Sequence, residues 1–358
     1  MDSVNAHCDL QLVDLPSNLM GLPGAGFAPL NEAAHGKFSA MLDRLDAGAD
    51  RAIASEIELL RRPDIFRSNF ALMLGLVARI PNFARSQGCD IGCGIGMRTA
   101  IAALFGPARI TGIDGNPQVI APARSWLDQA KLPGLAFQAF EKPAIPSGKS
   151  ELDWVMMRGV YAGMAADTAQ AFFKDCVRVL KPGGLLLLFD SANPLNAIAS
   201  ERIKAYHERM EIGGGSPGEP AGPIYHARLQ ILREAFAGRL GEEQSRSLAR
   251  ATCYMTAPEI LKAAKGFLAG KKAPDMRFNT ATISTAPVWP KTGLPAMRPA
   301  DPLAIRDELR RAGLTVRFRR PFLGADLAEA DLKTYLKDNV TFYITAEKLK
   351  SAASRKRK

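Results

Sequence analysis

Residues Cys89 to Thr99 read C-D-I-G-C-G-I-G-M-R-T, and the meaning of this stretch decides the fold. Gly92, Gly94 and Gly96 remove the Cβ atom at alternate positions, which lets the backbone take positive φ and lie close against a ligand. The residues that follow predict a helix, so the stretch is a strand-to-helix turn. A dinucleotide loop has the spacing G-x-G-x-x-G, with the third glycine serving helix packing and the helix N-terminus facing a pyrophosphate. Here the spacing is G-x-G-x-G, and Asp90 stands two residues before the first glycine. A carboxylate is awkward beside a pyrophosphate and suits a cationic ligand.

Working outward, Ala108 to Asp114 (A-R-I-T-G-I-D) reads as a second strand ending in an acid, 24 residues after Asp90. About 20 is the spacing expected for a ribose-binding acid in a β-α-β unit. Leu152 to Met157 (L-D-W-V-M-M) reads as a fourth strand, and Arg178 to Asp190 as a helix end, a turn and a fifth strand. Within it, Lys181-Pro182-Gly183-Gly184 reads as a cation at a helix C-terminus followed by residues that stop the helix. Strands alternating with helical segments argue for right-handed β-α-β units and a mainly parallel sheet.

In this order the segments resemble motif I and its successors in the class I S-adenosylmethionine-dependent methyltransferases, over roughly residues 85 to 190. The resemblance implies a Rossmann-like, doubly wound α/β fold with a mainly parallel sheet and an antiparallel last strand. It implies S-adenosyl-L-methionine as cofactor, held by Asp90, Gly92, Cys93, Gly94, Gly96, Asp114, Gly115, Phe140, Glu141 and Arg158. Asp114 would accept hydrogen bonds from the ribose hydroxyls, and the adenine would lie against Phe140 and backbone near Glu141. Positions after the fourth strand face the methyl in the family, which singles out Arg158, Gly159, Val160 and Tyr161. The chain departs from the family pattern at Ser86, Gln87 and Gly88, where aliphatic residues are usual.

The same resemblance divides the chain. Residues 1–84 form an irregular segment and helices covering the cofactor site, irregular through residue 34 and helical from 36 to 80, where Phe66, Phe70, Met73 and Val77 recur at helical spacing. Residues 85–190 are the cofactor-binding core. Residues 191–303 interrupt the pattern and are too long for a bare loop; Tyr206, Met210, Leu229, Leu232, Phe236 and Leu261 mark helical stretches of a lid over the acceptor, with dimer packing the alternative. Residues 304–347 resume the core with a last helix and strands, Asn339 to Ala346 being the final strand. Residues 348–358 are a disordered basic tail. The insertion, through Arg228 to Phe236 and Pro290 to Pro302, also resembles that of uncharacterised bacterial methyltransferases of polysaccharide and other secondary biosynthesis, which points to a glycan or small-metabolite acceptor.

Composition bounds the partners. A chain of 358 residues that is 47% hydrophobic can bury a sizeable core. It has no run approaching the ~20 apolar residues of a membrane span and no basic-then-apolar leader, so a cytoplasmic location is expected. The five cysteines include no C-x-x-C pair and no His pair has ligand spacing, so free thiols and no metal are expected. Six of the basic residues behind the +11 net charge lie in the last eleven positions; without them the balance is +5 (41 basic against 36 acidic residues). A solvated tail is favoured over a nucleic-acid arm, and a homodimer stays open.

Two residues are candidate catalytic groups. Tyr161 would orient an acceptor through its hydroxyl or pack over the cofactor. His207, in Y-H-E-R-M-E, would serve as a base with Glu208 or Glu211 nearby, or is a partly exposed surface histidine. The segment after the fourth strand reads R-G-V-Y, not the [DNS]-P-P-[YFW] of amino-methylating DNA enzymes; Asn193-Pro194-Leu195-Asn196 follows the fifth strand instead. No P-C motif or arginine-methyltransferase glutamate pair appears. The function expected is methyl transfer to an oxygen or nitrogen of a small metabolite, sugar or lipid precursor. The alternatives are an RNA-modifying methyltransferase, a non-catalytic partner that keeps the cofactor fold, and, last, an NAD-dependent oxidoreductase.

Overall fold

The computed structural model describes residues 24–45, 50–80, 82–106, 109–213, 221–319 and 326–349. The core strands are β1 (Gln87–Ile91), β2 (Arg109–Asp114), β3 (Leu135–Ala139), β4 (Leu152–Arg158), β5 (Leu180–Asp190), β6 (Leu314–Arg319) and β7 (Phe342–Lys348). They form one sheet in the order β3-β2-β1-β4-β5-β7-β6. The first five pair in parallel, whereas β7 runs antiparallel to both β5 and β6. The chain is therefore α/β with a mainly parallel sheet and an antiparallel last strand. The order reverses between β1 and β4, the switch point at which open α/β sheets bind ligands.

Two apolar layers flank the sheet. One is built with α1 (Gly24–Leu42), α2 (Arg51–Arg61), α3 (Pro63–Val77) and α5 (Pro117–Ala130), around Phe38, Phe66, Phe70, Trp126 and Trp154. The other uses α6 (Ala166–Val179), α11 (Pro302–Arg311) and α12 (Glu329–Asp338), around Phe172, Phe173, Leu309 and Leu336. Side-chain oxygens fix several helix starts: Asn116 accepts from Gln118 N at α5, and Asp301 from Leu303 N at α11. The insertion supplies α7 (Ala197–Glu211), α8 (Pro223–Ala235), α9 (Glu242–Ala251) and α10 (Ala257–Leu268), followed by irregular chain to Asp301 with an isolated bridge between Val288 and Pro295. A third apolar cluster, of Tyr225, Leu229, Leu232, Phe236, Leu248 and Ile260, lies within it.

The unusual start of β1 has a packing cause. A Cβ on Gly88 would fall 1.9 Å from Trp154 Cε2, and the Trp154 indole donates to Ser86 Oγ at 3.1 Å. Ser86 and Gly88 are thus the complement of a tryptophan on β4, and aliphatic side chains have no room.

Three local expectations are corrected, and the expected helix after the glycine loop is present but short. Residues 24 to 34 are helical, since α1 begins at Gly24; residues 1–23 lie outside the described residues. The helix after the glycine loop is one turn, α4 (Met97–Ala100), continuing as a 3-10 segment to Phe105. Lys181 is past the helix end, inside β5, and donates to both Asp153 carboxylate oxygens at 2.8 Å; Arg178 is the cation in the last turn of α6. Lys348 closes β7, its Nζ donating to Leu180 O at 2.7 Å, and residues 350–358 lie outside the described residues.

Candidate active site

The glycine loop leaves β1 at the switch point. All three glycines have positive φ: Gly92 72°, Gly94 57° and Gly96 77°. Their absent Cβ atoms face different things. At Gly92 a Cβ would meet Val160 Cγ1 at 2.2 Å, and at Gly96 the Phe137 ring at 2.2 Å. At Gly94 it would meet nothing within 4 Å. Only Gly94 therefore presents bare backbone to open space; the outer two are glycines because β3 and the post-β4 segment press on them. Gly92 N and Cys93 N donate to Ile113 O, which ties the loop to the end of β2.

Asp114, at the end of β2, is brought against the loop. Its Oδ2 accepts from Gly94 N at 3.0 Å and its Oδ1 from Asn116 N at 2.9 Å. Gly115 and Phe140 are also together, since a Cβ on Gly115 would touch the Phe140 ring at 3.1 Å. Phe140 stands edge-on to Phe172 at 5.1 Å. Glu141 is exposed beside it. Gly94 and Asp114 are thus in contact, as are Gly115 and Phe140, at the ends of β1, β2 and β3.

Asp90 turns elsewhere. Its carboxylate is buried, accepts from Thr99 Oγ1 at 2.6 Å and lies 3.5 Å from an Arg158 guanidinium nitrogen. Burial raises its pKa, against the opposing pull of Arg158 and Thr99. Arg158 donates also to Asn69 Oδ1 at 2.9 Å, linking β4 to α3. These residues brace the loop from below. Cys93 is buried, which pushes its thiol up and keeps it protonated; with Cys89, Cys176 and Cys253 it is a free thiol.

The chain after β4 carries Tyr161. Its ring is buried, stacks on Phe173 at 5.9 Å, and has the Arg298 guanidinium 4.0 Å from its centroid. Burial raises the phenol's pKa in spite of that cation. His207 is 1% exposed, so the surface-histidine alternative is overturned. Its Nε2 lies 2.5 Å from Met297 O and its Nδ1 has no partner. Donation to a carbonyl places the proton on Nε2, and burial lowers the pKa, which keeps the ring neutral. Glu211, one turn on, is committed to a buried bidentate pair with Arg228, 2.7 Å on one side. Asn193 and Asn196 are structural, their side-chain amides donating to Leu336 O and Lys337 O.

Tyr161 and His207 therefore meet one segment, Met297 and Arg298, and neither hydrogen-bonds the glycine loop. Arg298 was absent from the sequence reading. It lies within Pro290 to Pro302, where no periodicity signals that it reaches Tyr161, 137 residues away. Thr99 and Asn69 were missed similarly.

This sheet order, with a glycine loop at the switch point facing an acid on β2, defines an α/β domain with a candidate cofactor site at that point. Residues 89–184 match the family model for a methyltransferase domain. That match covers the core alone and agrees with its resemblance to the class I S-adenosylmethionine-dependent methyltransferases. Among curated relatives, an uncharacterised methyltransferase of Synechocystis sp. is 32% identical over 121 residues, covering 33% of this chain and 54% of its own. Trans-aconitate 2-methyltransferase of Paracidovorax citrulli is 37% identical over 86 residues, covering 22% and 33%. The chain thus spans about half or less of the length of these relatives. A solved methyltransferase structure from Aquifex aeolicus is 12% identical, covering 82% of this chain and 98% of its own, with a TM-score of 0.39.

Proposed function

We propose that the protein is an S-adenosylmethionine-dependent methyltransferase that moves a methyl group to an oxygen or nitrogen of a small metabolite, sugar or lipid precursor by in-line displacement. The observation that carries the reading is Gly94: its Cα side opens on free space while its N–H is held by Asp114. Bare backbone beside a carboxylate with remaining lone pairs fits a ribose-bearing cofactor.

In this reading Asp114 receives the ribose hydroxyls, Phe140 and Gly115 give the adenine an apolar wall with Glu141 at its rim, and Gly92, Cys93, Gly94 and Gly96 shape the loop under the methionine portion. Asp90 and Arg158 hold that loop from below. When bound, the cofactor supplies an electrophilic methyl on a sulfonium. The chain's own task is orientation, which can contribute up to roughly 7–11 kcal/mol in favourable cases. Neutral His207, with Nδ1 unprotonated, has the state required of a base, and Tyr161 retains its proton as a donor; a positioned base adds about 10²–10⁴-fold.

Relatives that match 22%, 37% and 28% of this chain are named for trans-aconitate, ribosomal protein L11 and 2-methyl-6-phytyl-1,4-hydroquinone. These names differ in kind, and in this reading selection of the acceptor falls to residues 191–303, outside the matched domain at 89–184. Among the described residues no helix is long and apolar enough to cross a membrane, and free buried thiols suit a cytoplasmic location.

Calorimetric titration with S-adenosylhomocysteine tests the reading. Saturable binding is expected, weakened about tenfold or more in Asp114→Asn, which removes the ribose acceptor's charge. No heat of binding to folded wild-type protein would overturn it.

A further inference from the structure

The strap Met297 to Ala300 crosses the ends of β4 and β5. Arg298 N donates to Ala162 O and Ala300 N to Ala192 O, both at 2.8 Å. Arg298 is then fixed along its side chain, with Nε donating to Tyr161 O at 3.3 Å and the guanidinium lying over the Tyr161 ring at 4.0 Å. The guanidinium also engages the Tyr161 hydroxyl side chain to side chain, and one nitrogen of the fork is left over. Nη2 is shielded from solvent and has no hydrogen-bond partner. Among the described residues Arg298 has no ion-pair partner. The carboxylate that feels its charge, Asp190, is engaged by the N–H groups of Ser191, Ala192 and Ala162.

An unpaired, shielded donor on a cation is costly, and such a group calls for an explanation. Its place supplies one. Val160 presses on Gly92 of the cofactor loop, and Tyr161 is the next residue, so Arg298 stands beside the strand end from which an acceptor must approach. The guanidinium is planar, permanently charged and held at its stem, which matches the two-oxygen face of a carboxylate or phosphate.

We propose that Arg298 is a specificity-determining residue whose guanidinium fork binds an anionic group, a carboxylate or phosphate, on the methyl acceptor. The assignment rests on the methyltransferase reading and narrows its substrate class. It also gives the insertion a chemical role, since the strap that carries Arg298 belongs to it.

The full chain is supplied with methyl-labelled S-adenosylmethionine and a polar metabolite extract split on an anion exchanger at neutral pH. Label is expected in acceptors from the retained fraction. Phosphatase treatment of that fraction separates the two sources: loss of labelling identifies a phosphate, persistence a carboxylate. With the labelled acceptor, Arg298→Gln raises KM about 10- to 100-fold, the worth of a charged hydrogen-bonded contact. Arg298→Lys recovers part of the loss, and both variants bind S-adenosylhomocysteine as the wild type does. Labelling confined to the unretained fraction, or a KM unchanged in Arg298→Gln, would overturn the assignment. Failure of the wild type to bind S-adenosylhomocysteine would instead strike the methyltransferase reading.

Discussion

At the scale of single residues, the three glycines of the loop look alike in sequence and are glycines for different reasons. Gly96 is filled from outside by Phe137, and its φ of 77° excludes most side chains. Gly96→Ala combines overpacking with a left-handed backbone, and a loss of about 2–4 kcal/mol is expected. Gly94→Ala meets no neighbour, so its stability cost is about 1–2 kcal/mol from φ alone, while its methyl group occupies the space proposed for cofactor. Urea midpoints and S-adenosylhomocysteine titrations of the two variants separate these effects: the larger stability loss belongs to Gly96→Ala, and at Gly94 affinity falls by more than the lost stability explains. Equal midpoints would contradict this division of roles. The spacing of the loop was legible because local backbone rules make glycine conspicuous. The partners Val160 and Phe137 were not, because contacts across a sheet leave no mark on the spacing of the residues that make them.

At the scale of elements, strands and helices were legible where apolar periodicity is strong, as in β2, β4, β5 and α3. β1 read as a poor strand because half of its explanation, Trp154, lies on another strand. Likewise α7 displayed His207 without the carbonyl of Met297, which comes from irregular chain 90 residues on. That bond has a consequence for pH. The folded pKa of His207 is lowered by burial from its ordinary 6.5, so the unfolded chain binds the extra proton first. Stability is then at full value above about 6.5 and declines as pH falls from there toward the lowered folded value, levelling off below it. Asp90 and Asp190 act in the opposite sense, their raised folded pKa values making them favour the fold at acid pH. The difference between wild type and His207→Gln isolates the histidine, because the glutamine amide can still donate to Met297 O. Below pH 6.5 the wild-type urea midpoint should fall relative to that of the variant. Parallel curves would mean that His207 titrates as freely in the fold as outside it.

At the scale of the whole molecule, the apolar residues divide into two layers that share the sheet and a third cluster confined to the insertion. Helix α7 joins the systems, placing Ile203 in a sheet layer while Glu211 pairs with Arg228 of α8. Arg228 also donates to Ala249 O of α9 and Cys253 O, so one buried cation holds three helices together. Burial works against that charge and Glu211 outweighs it. Removing one member leaves the other buried and uncompensated, a loss of about 3–5 kcal/mol. Because the apolar contacts of α8 to α10 form their own cluster, the damage from Arg228→Ala should stay local. Hydrogen exchange should show faster amide exchange throughout α8, α9 and α10, with protection retained in β1, β4 and β5. S-adenosylhomocysteine affinity should be kept, while acceptor turnover falls as the strap loses its support. Equal loss of protection in the central strands would show that insertion and sheet unfold as one cooperative unit, and that acceptor recognition is not a separable layer added to the cofactor core.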